Sequence, residues 1–139
     1  MTKVLVDINV ILDVLLDRRP HAAASVAVWA AIEAGRAQGL LAAHAVTTIY
    51  YLIHQELGGA QTRRAMTALL RVFEVATVDR TVIRDALQSP LSDFEDSVSA
   101  SAAHFAGCDL IVTRDAKGFR GSPVRALTPE AAAPLLASV

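Results

Sequence analysis

The 139-residue chain is predicted to fold as a three-layer α/β/α domain around a mostly parallel sheet of about five strands. Three observations predict this. Short aliphatic runs alternate with helical stretches from end to end. The strongest runs are continuous rather than alternating, as in strands covered on both faces. Two of them, Val4-Leu5-Val6 and Leu110-Ile111-Val112, lead into Asp7 and Asp115. A carboxylate there stands at the sheet rim, where open α/β sheets bind ligands.

Lys3 to Asp7 reads as a short buried strand. Asn9 has the chemistry of an N-cap for a helix from Val10 to about Asp17. Arg18-Arg19-Pro20 breaks that helix. Ala22 to Ala37 reads as a second helix with Val28, Trp29 and Ile32 inward, ended by Gly35 and Gly39. Leu40 to Ala43 is the second strand. Val46, Ile49, Tyr50, Ile53 and Leu57 keep the i, i+3, i+4 spacing of an amphipathic helix, and Gly58-Gly59 stops it. Ala60 to Phe73 forms the next helix, with Met66, Leu69, Leu70 and Phe73 inward. Glu74 to Val78 is a weak strand. Asp79 caps a helix to Leu87, which Ser89-Pro90 ends. Asp93 to Phe105 is helical and Gly107 terminates it. Cys108 to Thr113 is a strong strand and Val124 to Leu127 a short one. Thr128-Pro129-Glu130 opens the last helix with a cap and a first-turn proline.

The length leaves room for one domain over 1–139. Apolar residues make up 53% of the chain, enough for a real core and against disorder. The net charge of −1 gives no global basic field, so a nucleic-acid partner would be held by a local patch. One cysteine, Cys108, excludes an internal disulfide and a Cys-rich zinc site. No signal peptide is expected, and no apolar stretch reaches the ~18 residues of a membrane span. A soluble cytoplasmic protein, without a membrane partner, is the expectation. Glycine-rich phosphate loops are absent.

The chemistry-bearing residues form three groups. Asp7 abuts a buried strand, so its lone pairs must be satisfied; Asn9, two residues on, either steadies it or caps the helix. In Asp93-Phe94-Glu95-Asp96, Asp93 suits an N-cap with Asp96 in the first turn. Asp96 can at the same time face a cavity, with Val98, Ala102 and Phe105 packing elsewhere and Glu95 solvated. In Thr113-Arg114-Asp115, Thr113 can bond a carboxylate or a bound water. Arg114, Lys117 and Arg120 follow the rim and are candidates for phosphates. Asp7, Asp96 and Asp115 on one rim would repel one another unless a hard cation joined them, which selects Mg²⁺ or Mn²⁺. The four histidines share no ligand spacing, and Cys108 reads as core.

On these residues the chain resembles PIN-domain proteins, and within them the VapC-like toxin ribonucleases. The opening strand with Asp7 and Asn9 is similar to that family's first motif. Asp93 to Asp96, a small-residue helix, then Gly107 to Asp115 and Lys117-Gly118-Phe119 resemble its late motif. The resemblance implies Mg²⁺- or Mn²⁺-dependent cleavage of RNA, with Asp7, Asp96 and Asp115 at the catalytic and metal positions and Asp93 assisting. It further implies a homodimer and a cognate antitoxin lying along a groove near the site. One departure stands out: the family's usual second acid falls on Thr48, a neutral hydroxyl, and Glu56 lies roughly 12 Å further along the helix. The rivals are a PIN-fold RNA-binding or protein-interaction module whose acidic site has decayed, and a phosphohydrolase using an aspartyl nucleophile.

Overall fold

Five parallel strands form the sheet of the computed structural model, which describes residues 1–138; Val139, the last residue of the expected domain, lies outside it. The strands are β1 (Lys3–Val6), β2 (Gln38–Ala42), β3 (Phe73–Ala76), β4 (Leu110–Val112) and β5 (Arg125–Leu127), in the order β3-β2-β1-β4-β5. The helices are α1 (Ile8–Leu15), α2 (Ala22–Glu33), α3 (Ala43–Val72), α4 (Arg80–Leu87), α5 (Phe94–Phe105) and α6 (Pro129–Ala137), with a 3₁₀ turn at Ala116–Phe119.

Period-two geometry sorts the strand residues between two cores. Val4, Val6, Leu41 and Val112 face α1, α2, α3 and α6, where Val10, Ile11, Val28, Ile49, Ile53, Leu69 and Leu136 fill the layer. Leu5, Leu40, Ala42 and Ile111 face α4 and α5, against Val82, Ala86, Val98, Ala102 and Phe119. Both faces are covered, which is why these strands carry no polar alternation. The three-layer expectation therefore holds.

Local boundaries differ at informative points. Asp7, not Asn9, caps α1: its Oδ1 accepts the Ile8 backbone N–H at 2.9 Å, and the helix starts two residues earlier than expected. α2 ends at Glu33 rather than Ala37, because Gly35 takes a positive φ. α3 runs past Gly58-Gly59, but Gly58 sits at φ 74, ψ 173, so the element is two arms joined at a kink. That conformation is nearly confined to glycine, which is how the expected stop is expressed. On the first arm Ile49 and Ile53 are wholly buried, while Val46, Tyr50 and Leu57 are only half-buried. On the second arm Leu69 is buried but Leu70 is 50% exposed, against the inward placement expected for it. Phe73 is buried as the first residue of β3, where its ring meets Trp29 edge-on at 5.1 Å. Asp79, Asp93 and Thr128 cap α4, α5 and α6 through their side chains, as anticipated.

Strand order reverses direction between β1 and β4, the topological switch point of the sheet. The crevice beyond the strand ends at such a point is where open α/β sheets place ligands. Asp7 leaves β1 and Asp115 follows β4 on either side of it.

Candidate active site at the sheet rim

Asp7 is held by three groups. Besides the Ile8 N–H, its Oδ2 accepts the Thr113 hydroxyl at 2.8 Å and lies 3.5 Å from the Asn9 amide nitrogen. Thr113 is fully buried and its Oγ1 also accepts the Asp115 N–H at 3.1 Å. One threonine thus ties the carboxylate after β1 to the turn after β4. Asn9 makes a second tie, its Oδ1 accepting the Arg114 N–H at 3.2 Å. Burial pushes the Asp7 carboxyl above its ordinary range, although Thr113 and Ile8 pull the other way.

Asp96 reaches the same rim from the first turn of α5. Its own N–H is donated to the Asp93 carboxylate at 3.0 Å, the capping bond that starts the helix. Burial, then the charges of Asp7, Asp93, Asp115 and Glu95, push its carboxyl up to about 6. Asp115 caps the 3₁₀ turn, with Oδ1 accepting the Gly118 N–H at 3.3 Å. Gly118 shows how closely the two acids approach: a Cβ on it would stand 2.7 Å from Asp115 Oδ2 and 3.3 Å from Asp96 Oδ2. Only a residue without a side chain leaves that space open.

The three acids offer carboxylate oxygens to the rim, which suit a hard divalent cation. Asp96 and Asp115 would hold such an ion at the Gly118 gap, with Asp7 beside them. Among the described residues, however, no group of three or more His, Cys, Asp or Glu side chains is close enough together to form a metal cage. The three acids are electrostatic neighbours rather than a closed ligand set.

Several side chains behave differently from expectation. Arg114 turns inward instead of toward a phosphate path: its Nε lies 3.0 Å from Asp13 Oδ2. Asp13 is fully buried and also accepts the Ser25 hydroxyl at 3.1 Å. The Arg114 contact is a charge pair without hydrogen-bond alignment, and Asp13 Oδ1 has no partner among the described residues. Lys117 and Arg120 stay exposed, with no ion pair among the described residues. Glu95 is exposed, but its charge is felt by Asp7, Asp96 and His44, so it belongs to the acidic neighbourhood rather than to an independent solvated face. Phe105, expected to pack, is 53% exposed.

His44 joins the acidic neighbourhood without any sequence spacing to mark it. It lies in the first turn of α3, with Nε2 3.5 Å from Ser99 Oγ. Its Nδ1 is buried without an aligned hydrogen bond among the described residues, although the Glu95 backbone lies close enough to favour the charged ring. Burial nevertheless lowers its pKa, with Glu95 and Asp7 opposing. Thr48 is half-buried one turn further along α3. No histidine spacing marks His44 in the sequence; its place directly after β2 was the available signal. Asp13 also had one, as a lone acid inside the apolar run Val10 to Leu16.

Comparison with known proteins agrees with this architecture. The PIN domain family matches residues 3–117. Ribonuclease VapC1 of Aquifex aeolicus (strain VF5) is 26% identical over 133 residues, spanning 92% of this chain and 91% of that protein. Among solved structures, FitAB bound to an IR36 DNA fragment superposes with a TM-score of 0.73 at 21% identity, over 91% of this chain and 95% of that one. VapBC2 from Rickettsia felis, bound to a promoter DNA fragment, gives 0.70 at 11% identity, over 91% and 98%. With the family covering most of the chain, and with the sheet order and rim acids described above, the protein belongs to the PIN-domain family.

Proposed function

We propose that this protein is a Mg²⁺- or Mn²⁺-dependent endoribonuclease, the toxin of a toxin–antitoxin pair. The observation that carries the reading is the shared gap above Gly118, bordered by Asp96 and Asp115 and coupled to Asp7 through the charge that raises Asp96. Family membership and the likeness to Ribonuclease VapC1 support it.

In this reading Asp7, Asp96 and Asp115 are the catalytic and cation-holding acids. Thr113 and Asn9 fix Asp7 and the turn carrying Asp115. Asp93 starts α5 so that Asp96 enters the rim. A bound Mg²⁺ or Mn²⁺ would acidify a water and screen the charge developing on the phosphodiester. Lys117 and Arg120, exposed beside the rim, would position the RNA backbone, since such contacts orient more than they specify. Thr48 places a hydroxyl where the resemblance expects an acid, leaving three carboxylates for the cation. An antitoxin partner, a homodimer and a cytoplasmic setting belong to the same proposal. The apolar surface at Phe94 and Phe105, 49% and 53% exposed at the two ends of α5, supports protein contacts.

A second reading has support of its own. The absence of a closed three-acid cage among the described residues and the neutral Thr48 favour a PIN-fold RNA-binding or protein-interaction module. Incubating single-stranded RNA with the protein in Mn²⁺, in chelator, and with Asp7→Asn separates the two. The nuclease reading expects cleavage only by wild type with metal. Equal cleavage in all three, or none in any, rejects it.

A further inference from the structure

The two arms of α3 enclose a surface that the rim chemistry does not use. Three shallow grooves run together there. Tyr50, Tyr51 and His54 line the first. Tyr50 continues into a second of about 330 Å³, with Val46, Thr47, Arg63, Met66, Thr67 and Leu70. Arg63 and Thr67 continue into the third, with Arg64 and Arg71. The shared residues make one trough, aromatic at one end and basic at the other.

Three rings make up the aromatic end. The Tyr50 and His54 rings lie nearly parallel, 22° apart, with centroids 5.7 Å from each other. Tyr51 beside them is 72% exposed, so its ring face is open to a stacking partner. At the basic end, Arg63, Arg64 and Arg71 have no ion pair among the described residues. Three uncompensated guanidinium groups in a protein of net charge −1 form a local anion-binding strip.

The trough begins on the same helix, α3, whose first turn carries His44. Thr47 lines it and bonds the His44 carbonyl at 3.3 Å. Tyr51 stands two turns beyond His44 on the same helix face, roughly 10 Å along the axis. That is a separation of one or two nucleotides of an extended strand.

We infer that the α3 trough is a binding path for single-stranded RNA, with bases stacking on Tyr50, Tyr51 and His54 and phosphates meeting Arg63, Arg64 and Arg71. It rests on the nuclease reading for its connection to the rim. Bases have sequence-independent π-faces that exposed rings can stack, and their phosphates supply the charge the arginines lack. An acidic polypeptide would satisfy the arginines but would leave the exposed Tyr51 ring without a flat partner.

The test is fluorescence anisotropy with a short labelled single-stranded RNA in chelator, so that binding is read without cleavage. Tyr51→Ala and the pair Arg63→Ala/Arg64→Ala should each weaken binding roughly tenfold. The arginine pair should also flatten the salt dependence. Tyr51→Phe, which keeps the ring, should bind like wild type, as should Arg125→Ala on β5. Thermal melts check that each variant is folded. Unchanged RNA binding by both trough variants overturns the inference, and so does equal loss in Arg125→Ala. Binding of poly-glutamate that depends on Arg63 and Arg64, with RNA binding unaffected, assigns the trough to a protein partner and overturns it too. Failure of the nuclease reading looks different: wild type then cleaves no RNA with Mn²⁺, while the trough variants still lose RNA affinity.

Discussion

Asp96 carries a proton to about pH 6 because burial and four neighbouring carboxylates disfavour its charge. Its folded pKa lies above the ordinary carboxylate value of 3.8, so the native state binds the proton more tightly than the unfolded chain. The stability it contributes is complete below about pH 3.8 and is lost as pH rises through about 6. Asp96→Asn should therefore melt higher than wild type at pH 7, and the difference should shrink toward pH 4. Parallel melts across that range check it; a constant difference would mean that Asp96 is not ionising against its neighbours. Asp13 tests the inward face of the same region. Its carboxylate is buried against Arg114 and Ser25, and removing one partner of a buried pair leaves the other uncompensated. Asp13→Ala should lose about 3 kcal/mol in denaturant unfolding. A loss below about 1 kcal/mol would place Arg114 in solvent rather than in the pair.

At the scale of elements, α3 is where sequence and structure diverge most. The glycine pair announced a stop, and Gly58 does break the helix, but the chain resumes helical geometry at once. Periodicity alone could not tell a loop from a one-residue kink. It also counted Tyr50 and Leu70 as core, because their spacing matches an apolar face that is narrower in the folded protein. The caps were legible because each depends on one side chain bonding a backbone N–H two or three residues on, as Asp79, Asp93 and Thr128 do. Asn9 does not cap α1 because Asp7, two residues earlier, already takes the role. Thr48 gives α3 its own prediction. Thr48→Glu should lower stability without metal, since like charges a few ångströms apart repel. It should then gain more from added Mn²⁺ than wild type does, as anything bound only by the folded state stabilises it. Equal Mn²⁺-induced shifts in thermal melts would place Thr48 outside the acidic neighbourhood.

Across the whole molecule, the parallel sheet does most of the positioning. Strands that reverse order between β1 and β4 bring Asp7 and Asp115 to one crevice, although 108 positions of chain numbering separate their neighbourhoods at Asp7 and Asp115. That convergence was legible because both aspartates follow continuous aliphatic runs, and strand ends share a rim when the sheet is parallel. The contacts of His44 with α5, and of Asp13 with Arg114, were not legible. They depend on how helices pack across the sheet, which no local pattern encodes. The proposed nuclease function requires the separate rim carboxylates to act as one cation site. Isothermal titration of Mn²⁺ into the metal-stripped protein, beside Asp96→Asn and Asp115→Asn, tests it most directly. Wild type should bind Mn²⁺ saturably, and either substitution should weaken that binding at least tenfold with the fold intact by circular dichroism. Undiminished Mn²⁺ binding by both variants would contradict it.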